Sequence, residues 1–118
     1  MPAENRTLTL VARLMLIEAV TFAIASILHL GVAESFIDAA IPEAIIAVVL
    51  GAAAIAVMRR GAGSLGLALA ATLFALAGVI IGLSVIIGGP VSRPIDLAYH
   101  ATILVALVGT VVLLLRSR

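Results

Sequence analysis

Four long apolar stretches, separated by short polar segments, dominate the hydrophobic pattern of the chain. They cover residues 8–30, 42–58, 65–87 and 95–115. A helix needs about 20 mostly apolar residues to cross the ~30 Å hydrocarbon core of a bilayer. No stretch shows the alternation typical of a membrane β-barrel strand, and an open sheet edge is not tolerated in lipid. The pattern predicts an all-α integral membrane protein with four spans.

The polar segments place the ends of the spans and the path of the chain. Arg59, Arg60 and Gly61 indicate the end of the second span, and residues 88–90 (Gly-Gly-Pro) the end of the third. Pro42 and Pro94 each suit the first turn of a new helix, where a missing N–H has no cost. Because all connections are short, consecutive helices should be antiparallel, giving one up-down four-helix bundle over residues 1–118.

The basic residues predict the orientation of the bundle in a plasma membrane. All are arginine, and only Arg93 falls on the side opposite to the others. Since Lys and Arg concentrate in cytoplasmic segments, both termini are predicted to be cytoplasmic, and the acidic connections outward-facing. The first stretch is longer than the ~7–15 apolar residues of a signal peptide and contains Glu18, so we expect it to be retained as a span.

Composition excludes several classes of function. The chain is 64% apolar and 11% charged, against about 45–50% and about 25% for a soluble domain. It has no Cys and therefore neither disulfides nor thiolate chemistry. A net charge of +1 without a basic run argues against nucleic acid as a partner. No nucleophile or phosphate-binding motif is present, which favours a protein that is not an enzyme.

Glu18 stands out because it lies near the middle of the first span. An acidic side chain at the bilayer centre costs roughly 2.5–3.5 kcal/mol on insertion scales, and such residues are often functional. At ~100° per residue, Glu18, Thr21, Ala25 and His29 share one helical stripe. We therefore expect Glu18 to face the bundle interior, either hydrogen-bonded or protonated.

A second group of polar residues converges near the outer ends of the spans. Because neighbouring spans are antiparallel, His29, Glu43, Asp96 and His100 should arrive at similar depth, with Tyr99 beside them. The alternative is a purely structural role. Glu43 and Asp96, which follow prolines, would then only interact favourably with the positive ends of their helix dipoles, and His29 and His100 would only lie at the membrane interface.

Three functions remain open for these residues. The first is a binding or accessory protein that holds an apolar ligand, such as a quinone, by its polar head. The second is a proton-coupled transporter using Glu18. The third is a membrane enzyme or redox protein with a divalent metal or haem at His29 and His100. Gly78 and Gly82 form a GxxxG step, which suits either packing within the bundle or a contact with a second copy or a larger membrane complex.

One family resemblance rests on the first span. Residues 11–31, VARLMLIEAVTFAIASILHLG, resemble the opening helix of DoxX-like small four-helix membrane proteins. Those helices often have an Arg-Leu pair near the start and a His or another polar residue near the end, and Arg13 and His29 occupy similar positions here. The resemblance implies an accessory subunit of a quinone-linked oxidoreductase, or a membrane protein of unassigned role.

Overall fold

The computed structural model describes residues 3–31, 36–90 and 93–118, and within them it contains four long α-helices. The helices are α1 (Ala3–His29), α2 (Ile37–Met58), α3 (Ser64–Gly88) and α4 (Pro94–Arg116). Each is long and apolar enough to cross a membrane. The prediction of an all-α chain with four such helices is confirmed.

The four helices run up and down and close into a ring. α1 contacts α2 and α4, and α3 contacts the same two helices. The α1–α2 interface is the most extensive of the four and the α1–α4 interface the sparsest. The resulting bundle measures 49 × 21 × 19 Å. A groove follows the sparse α1–α4 seam.

Apolar side chains cover the outside of the bundle as well as its core. Small residues, among them Ala53, Ala68 and Ala75, are fully buried and let the helices approach closely. Facing outward, Val48 is 72% exposed and Val105 73% exposed. Apolar surface of this extent is unfavourable in water and suits hydrocarbon, which explains why the sequence is apolar on every helix face.

The glycine step on α3 is used within the bundle. A Cβ at Gly78 would lie 2.7 Å from Ile46 Cδ1 of α2, and a Cβ at Gly82 would lie 2.8 Å from His100 Nε2 of α4. The missing side chains therefore make room for one neighbour on each side of α3. A contact of these glycines with a second copy stays a prediction.

The start of α2 differs from its prediction. The backbone N–H groups of Ala39 and Ala40 bond to the Phe36 carbonyl at 3.0 and 3.1 Å, so the helix begins before the proline. Pro42 lies inside α2, where it leaves the Asp38 carbonyl without its usual helical donor. The expectations that Pro42 opens the helix and that residues 37–41 form a connection were wrong, while Glu34 and Ser35 lie outside the described residues. α1 likewise begins at Ala3, before the apolar stretch at residue 8, because helix formation does not require apolar residues.

The turn between α2 and α3 follows its prediction with one change. α2 ends at Met58, so Arg59 and Arg60 lie just beyond the helix rather than in its last turn. Arg60 has a φ of 51° and Gly63 a φ of 73°. The left-handed residue after the helix is thus Arg60, and Gly63 supplies the second left-handed step before α3, a conformation that glycine adopts without steric cost.

Candidate functional site

His29, the last residue of α1, joins three helices through its imidazole ring. Its Nδ1 lies 2.7 Å from Glu43 Oε2 of α2, and its Nε2 lies 3.2 Å from Asp96 Oδ1 of α4. Both His29 and Glu43 are buried, at 6% and 5% exposure. We call Glu43, His29 and Asp96 the triad. It is the most extensive polar link between helices in the described part of the chain.

The hydrogen bonds of the triad require one proton more than two ionised carboxylates and a neutral imidazole carry. Ionised carboxylate oxygens only accept hydrogen bonds, and a neutral imidazole has a single N–H. Two hydrogen bonds from one ring to two carboxyl groups therefore require an imidazolium, or a neutral ring with one protonated carboxyl. In either form the triad has a net charge of −1.

Asp96 is the centre of a wider network. Its Oδ2 lies 3.4 Å from Arg93 Nη1, one turn earlier on the chain. The Arg93 guanidinium also stacks over the Phe36 ring, 4.7 Å from the centroid, an arrangement favoured by the ring quadrupole. The Asp96 backbone carbonyl accepts a hydrogen bond from His100 Nδ1 at 2.8 Å. Since a carbonyl cannot donate, Nδ1 of His100 carries a hydrogen, and Nε2 is the acceptor in the neutral ring.

Tyr99 lies beneath this network among aromatic rings. Its ring meets Phe22 edge to face at 6.3 Å and His100 at 5.0 Å, which is a favourable geometry for aromatic pairs. The Tyr99 hydroxyl and Glu43 Oε1 are buried without a hydrogen-bond partner among the described residues. Buried polar atoms are usually satisfied, so these two atoms are candidates for contact with a ligand.

Two cavities adjoin the triad and share only His29 and Asp96. The larger, which we call the lateral groove, has a volume of about 380 Å³ and lies between α1 and α4. The smaller, which we call the inner cavity, has a volume of about 170 Å³ and is lined chiefly by α2 and α3. The groove is lined by Thr21, Ile24, Ala25, Leu28, His29, Arg93, Pro94, Ile95, Asp96 and Tyr99.

Glu18 forms a separate polar contact deeper in the bundle. It is 2% exposed, and its Oε1 lies 2.8 Å from Thr110 Oγ1 of α4. The same hydroxyl lies 3.1 Å from the Ala106 carbonyl. A threonine hydroxyl has one hydrogen, so Thr110 either shares it between the Glu18 carboxyl and the Ala106 carbonyl, or donates to Ala106 and accepts from a protonated Glu18. Eleven residues separate Glu18 from His29, or roughly 16 Å along the helix.

The structure brings most of the candidate residues together but changes two of their roles. Glu43 is not in the first turn of α2, a position held by Asp38, so matching the helix dipole does not explain Glu43. His100 is linked to Asp96 through the backbone carbonyl and not through the carboxylate. Both histidines are buried, which does not fit merely interfacial side chains.

The arrangement gives no support to a metal or haem site. Among the described residues, no group of three or more His, Asp or Glu side chains is arranged to hold a metal ion. Both ring nitrogens of His29 face carboxylates. Nε2 of His100 lies against Gly82. Ligation by this pair would require breaking the triad.

Sequence reasoning missed several partners of these residues. Thr110 follows Asp96 by fourteen residues and Glu18 precedes His29 by eleven, so antiparallel pairing of α1 and α4 could have indicated their similar depth. Ser26 Oγ, which donates to the Ala40 carbonyl at 2.6 Å, gave no such signal because its partner is a backbone atom.

Comparisons with family models, with curated proteins and with solved structures found no match to this chain.

Proposed function

We propose that this chain is a multi-pass plasma membrane protein, with both termini in the cytoplasm, that binds a small amphipathic molecule in the lateral groove. The observation that carries the proposal is the course of the groove, which runs between apolar walls and ends on the triad. Ligand sites are typically concave and mostly apolar, with a few polar groups that fix orientation. The lateral groove has this composition.

The groove suits a ligand that stays partly in the bilayer. Ile24 and Ile95 at its sides are exposed, at 53% and 84%, and the α1–α4 interface is the sparsest of the four. At the polar end, Arg93 can donate hydrogen bonds and Asp96 can accept them, while both ring nitrogens of His29 already contact carboxyl groups. The Tyr99 hydroxyl, which is buried in the groove wall without a partner among the described residues, is a further donor. A head group with carbonyl oxygens, such as a quinone ring, would find donors there while its tail remained among the apolar residues. The DoxX-like resemblance also supports a quinone as the ligand, because it implies an accessory subunit of a quinone-linked oxidoreductase.

The single tyrosine of the chain provides a direct test. There is no Trp, and Tyr99 is the only Tyr, so tyrosine fluorescence reports from one wall of the groove. We expect saturable quenching by a short-chain ubiquinone in nanodiscs. Ala25→Leu, which adds three carbons inside the groove, should abolish the saturable part. Ala77→Leu on the exposed face of α3 is the matched control and should not.

Two outcomes would contradict the proposal. One is quenching that rises in proportion to quinone without saturation, as partition into the bilayer alone would give. The other is equal saturable quenching in wild type and Ala25→Leu.

A proton-coupled transporter is the second candidate, favoured by the buried Glu18 and the proton that the triad holds. Glu18 Oε2 has no hydrogen-bond partner among the described residues. A transporter requires its buried acid to exchange protons, so Glu18→Gln should stop proton-coupled substrate movement in proteoliposomes. Unchanged movement in that variant would exclude Glu18 as the coupling residue.

A further inference from the structure

The inner cavity has a chemistry of its own, separate from the lateral groove. Residues of α2 and α3 form most of its lining, and they include the apolar side chains of Ile46, Val79 and Val85. Glu43 and His100 also line it. Glu43 is 5% exposed, and its Oε1 has no donor among the described residues because His29 occupies Oε2 alone.

Two hydrogen-bond acceptors therefore border one small apolar space. Glu43 Oε1 is a buried carboxyl oxygen without a donor, which is an unfavourable state unless a donor is supplied. In the neutral His100 ring, Nε2 is an acceptor, because Nδ1 donates to the Asp96 carbonyl. A ligand that complements this site must donate several hydrogen bonds from one compact group.

Charge favours a cation in the same place. The triad has a net charge of −1, because its two hydrogen bonds require one proton shared among two carboxyl groups and the ring. Asp38 at the mouth of the cavity adds a negative charge, and Arg93 on the far side of Asp96 offsets it. The surroundings thus retain an excess of negative charge, in a medium of low dielectric where charge complementarity has a large effect.

We propose that the inner cavity binds a small protonated primary amine, with its ammonium group at Glu43 and His100 and its apolar body against Ile46, Val79 and Val85. The volume of about 170 Å³ limits the size of the body, because a cavity of about 150 Å³ accommodates a molecule the size of benzene. The proposal does not depend on the function proposed for the lateral groove, which is a different cavity with a different ligand.

The test uses benzylamine and the full chain in detergent, followed by isothermal titration calorimetry at neutral pH, where a primary alkylamine is protonated. We expect saturable binding of benzylamine above a micelle blank. Benzyl alcohol, which has a similar shape without the charge, should bind roughly tenfold to a hundredfold more weakly, the range for a charge-assisted hydrogen bond. Glu43→Gln, which keeps the shape but puts an amide in place of the carboxyl group, should show a similar loss for benzylamine.

Further variants keep the test independent of whether Glu43→Gln folds. Val85→Phe enlarges a half-exposed residue at the edge of the inner cavity and should abolish benzylamine binding. Val48→Phe makes the same change on a more exposed surface of α2 and should leave binding intact. Equal binding of benzyl alcohol and benzylamine, or intact binding in Val85→Phe, would overturn the proposal. So would loss of benzylamine binding in Ala25→Leu with retention in Val85→Phe, which would place the amine in the lateral groove.

Discussion

Replacing Thr110 by valine tests the buried contact between α1 and α4. The change preserves the shape of the side chain and removes the hydroxyl, which leaves both Glu18 oxygens without a partner among the described residues. A hydrogen bond between membrane helices contributes about 0.6 kcal/mol on average and up to about 1.7 kcal/mol. A buried polar group left unpaired adds a further cost.

Thr72 provides a matched control for this change. Both threonines are 0% exposed, but among the described residues the Thr72 hydroxyl bonds only to the Ala68 carbonyl of its own helix. Thr72→Val therefore also replaces a buried hydroxyl by a methyl group, but it removes no contact between helices. We expect Thr110→Val to lower the free energy of unfolding by about 1–2 kcal/mol more than Thr72→Val, equivalent to roughly a fivefold to thirtyfold change in the unfolding equilibrium.

The assay is reversible unfolding in mixed micelles, with a double-mutant cycle to isolate the pair. In a Glu18→Leu background, Thr110→Val should cost no more than Thr72→Val, because the partner is already gone. Equal costs of the two valine substitutions in the wild-type background would refute the claim that the Glu18–Thr110 contact stabilises the bundle.

Two further predictions address packing and orientation. Gly82→Ala should destabilise the bundle by about 1–3 kcal/mol, because the new Cβ would meet His100 Nε2 at 2.8 Å. Gly66→Ala, with no atom within 4 Å, should be neutral or slightly stabilising in the same unfolding assay, because alanine favours a helix over glycine. Equal effects would argue against a packing role for Gly82. The chain has no native Cys, so Ala62→Cys and Pro90→Cys can be labelled separately with a membrane-impermeant maleimide in intact cells. Pro90→Cys should react and Ala62→Cys should react only after permeabilisation; the reverse result would invert the proposed topology.

The sequence by itself determined the four long apolar helices and the rows of polar residues along them. Apolar runs of membrane-spanning length predict four helices because lipid leaves the backbone no other way to satisfy its hydrogen bonds locally. The helical period then places Glu18 and His29 on one stripe of α1. Antiparallel order brings the end of α1 to the same level as the starts of α2 and α4, which is why the meeting of His29 with Glu43 and Asp96 could be anticipated.

Only the tertiary structure decided which atoms meet. The rotation of each helix about its axis depends on how its side chains fit those of its neighbours, and no local pattern encodes that rotation. The pairing of Glu18 with Thr110 and the packing of His100 against Gly82 therefore became visible only in the folded bundle. The same holds for the start of α2, which begins at Ile37 and places Pro42 inside the helix rather than in its first turn. Local periodicity fixes which residues share a face, whereas long-range packing fixes which faces touch.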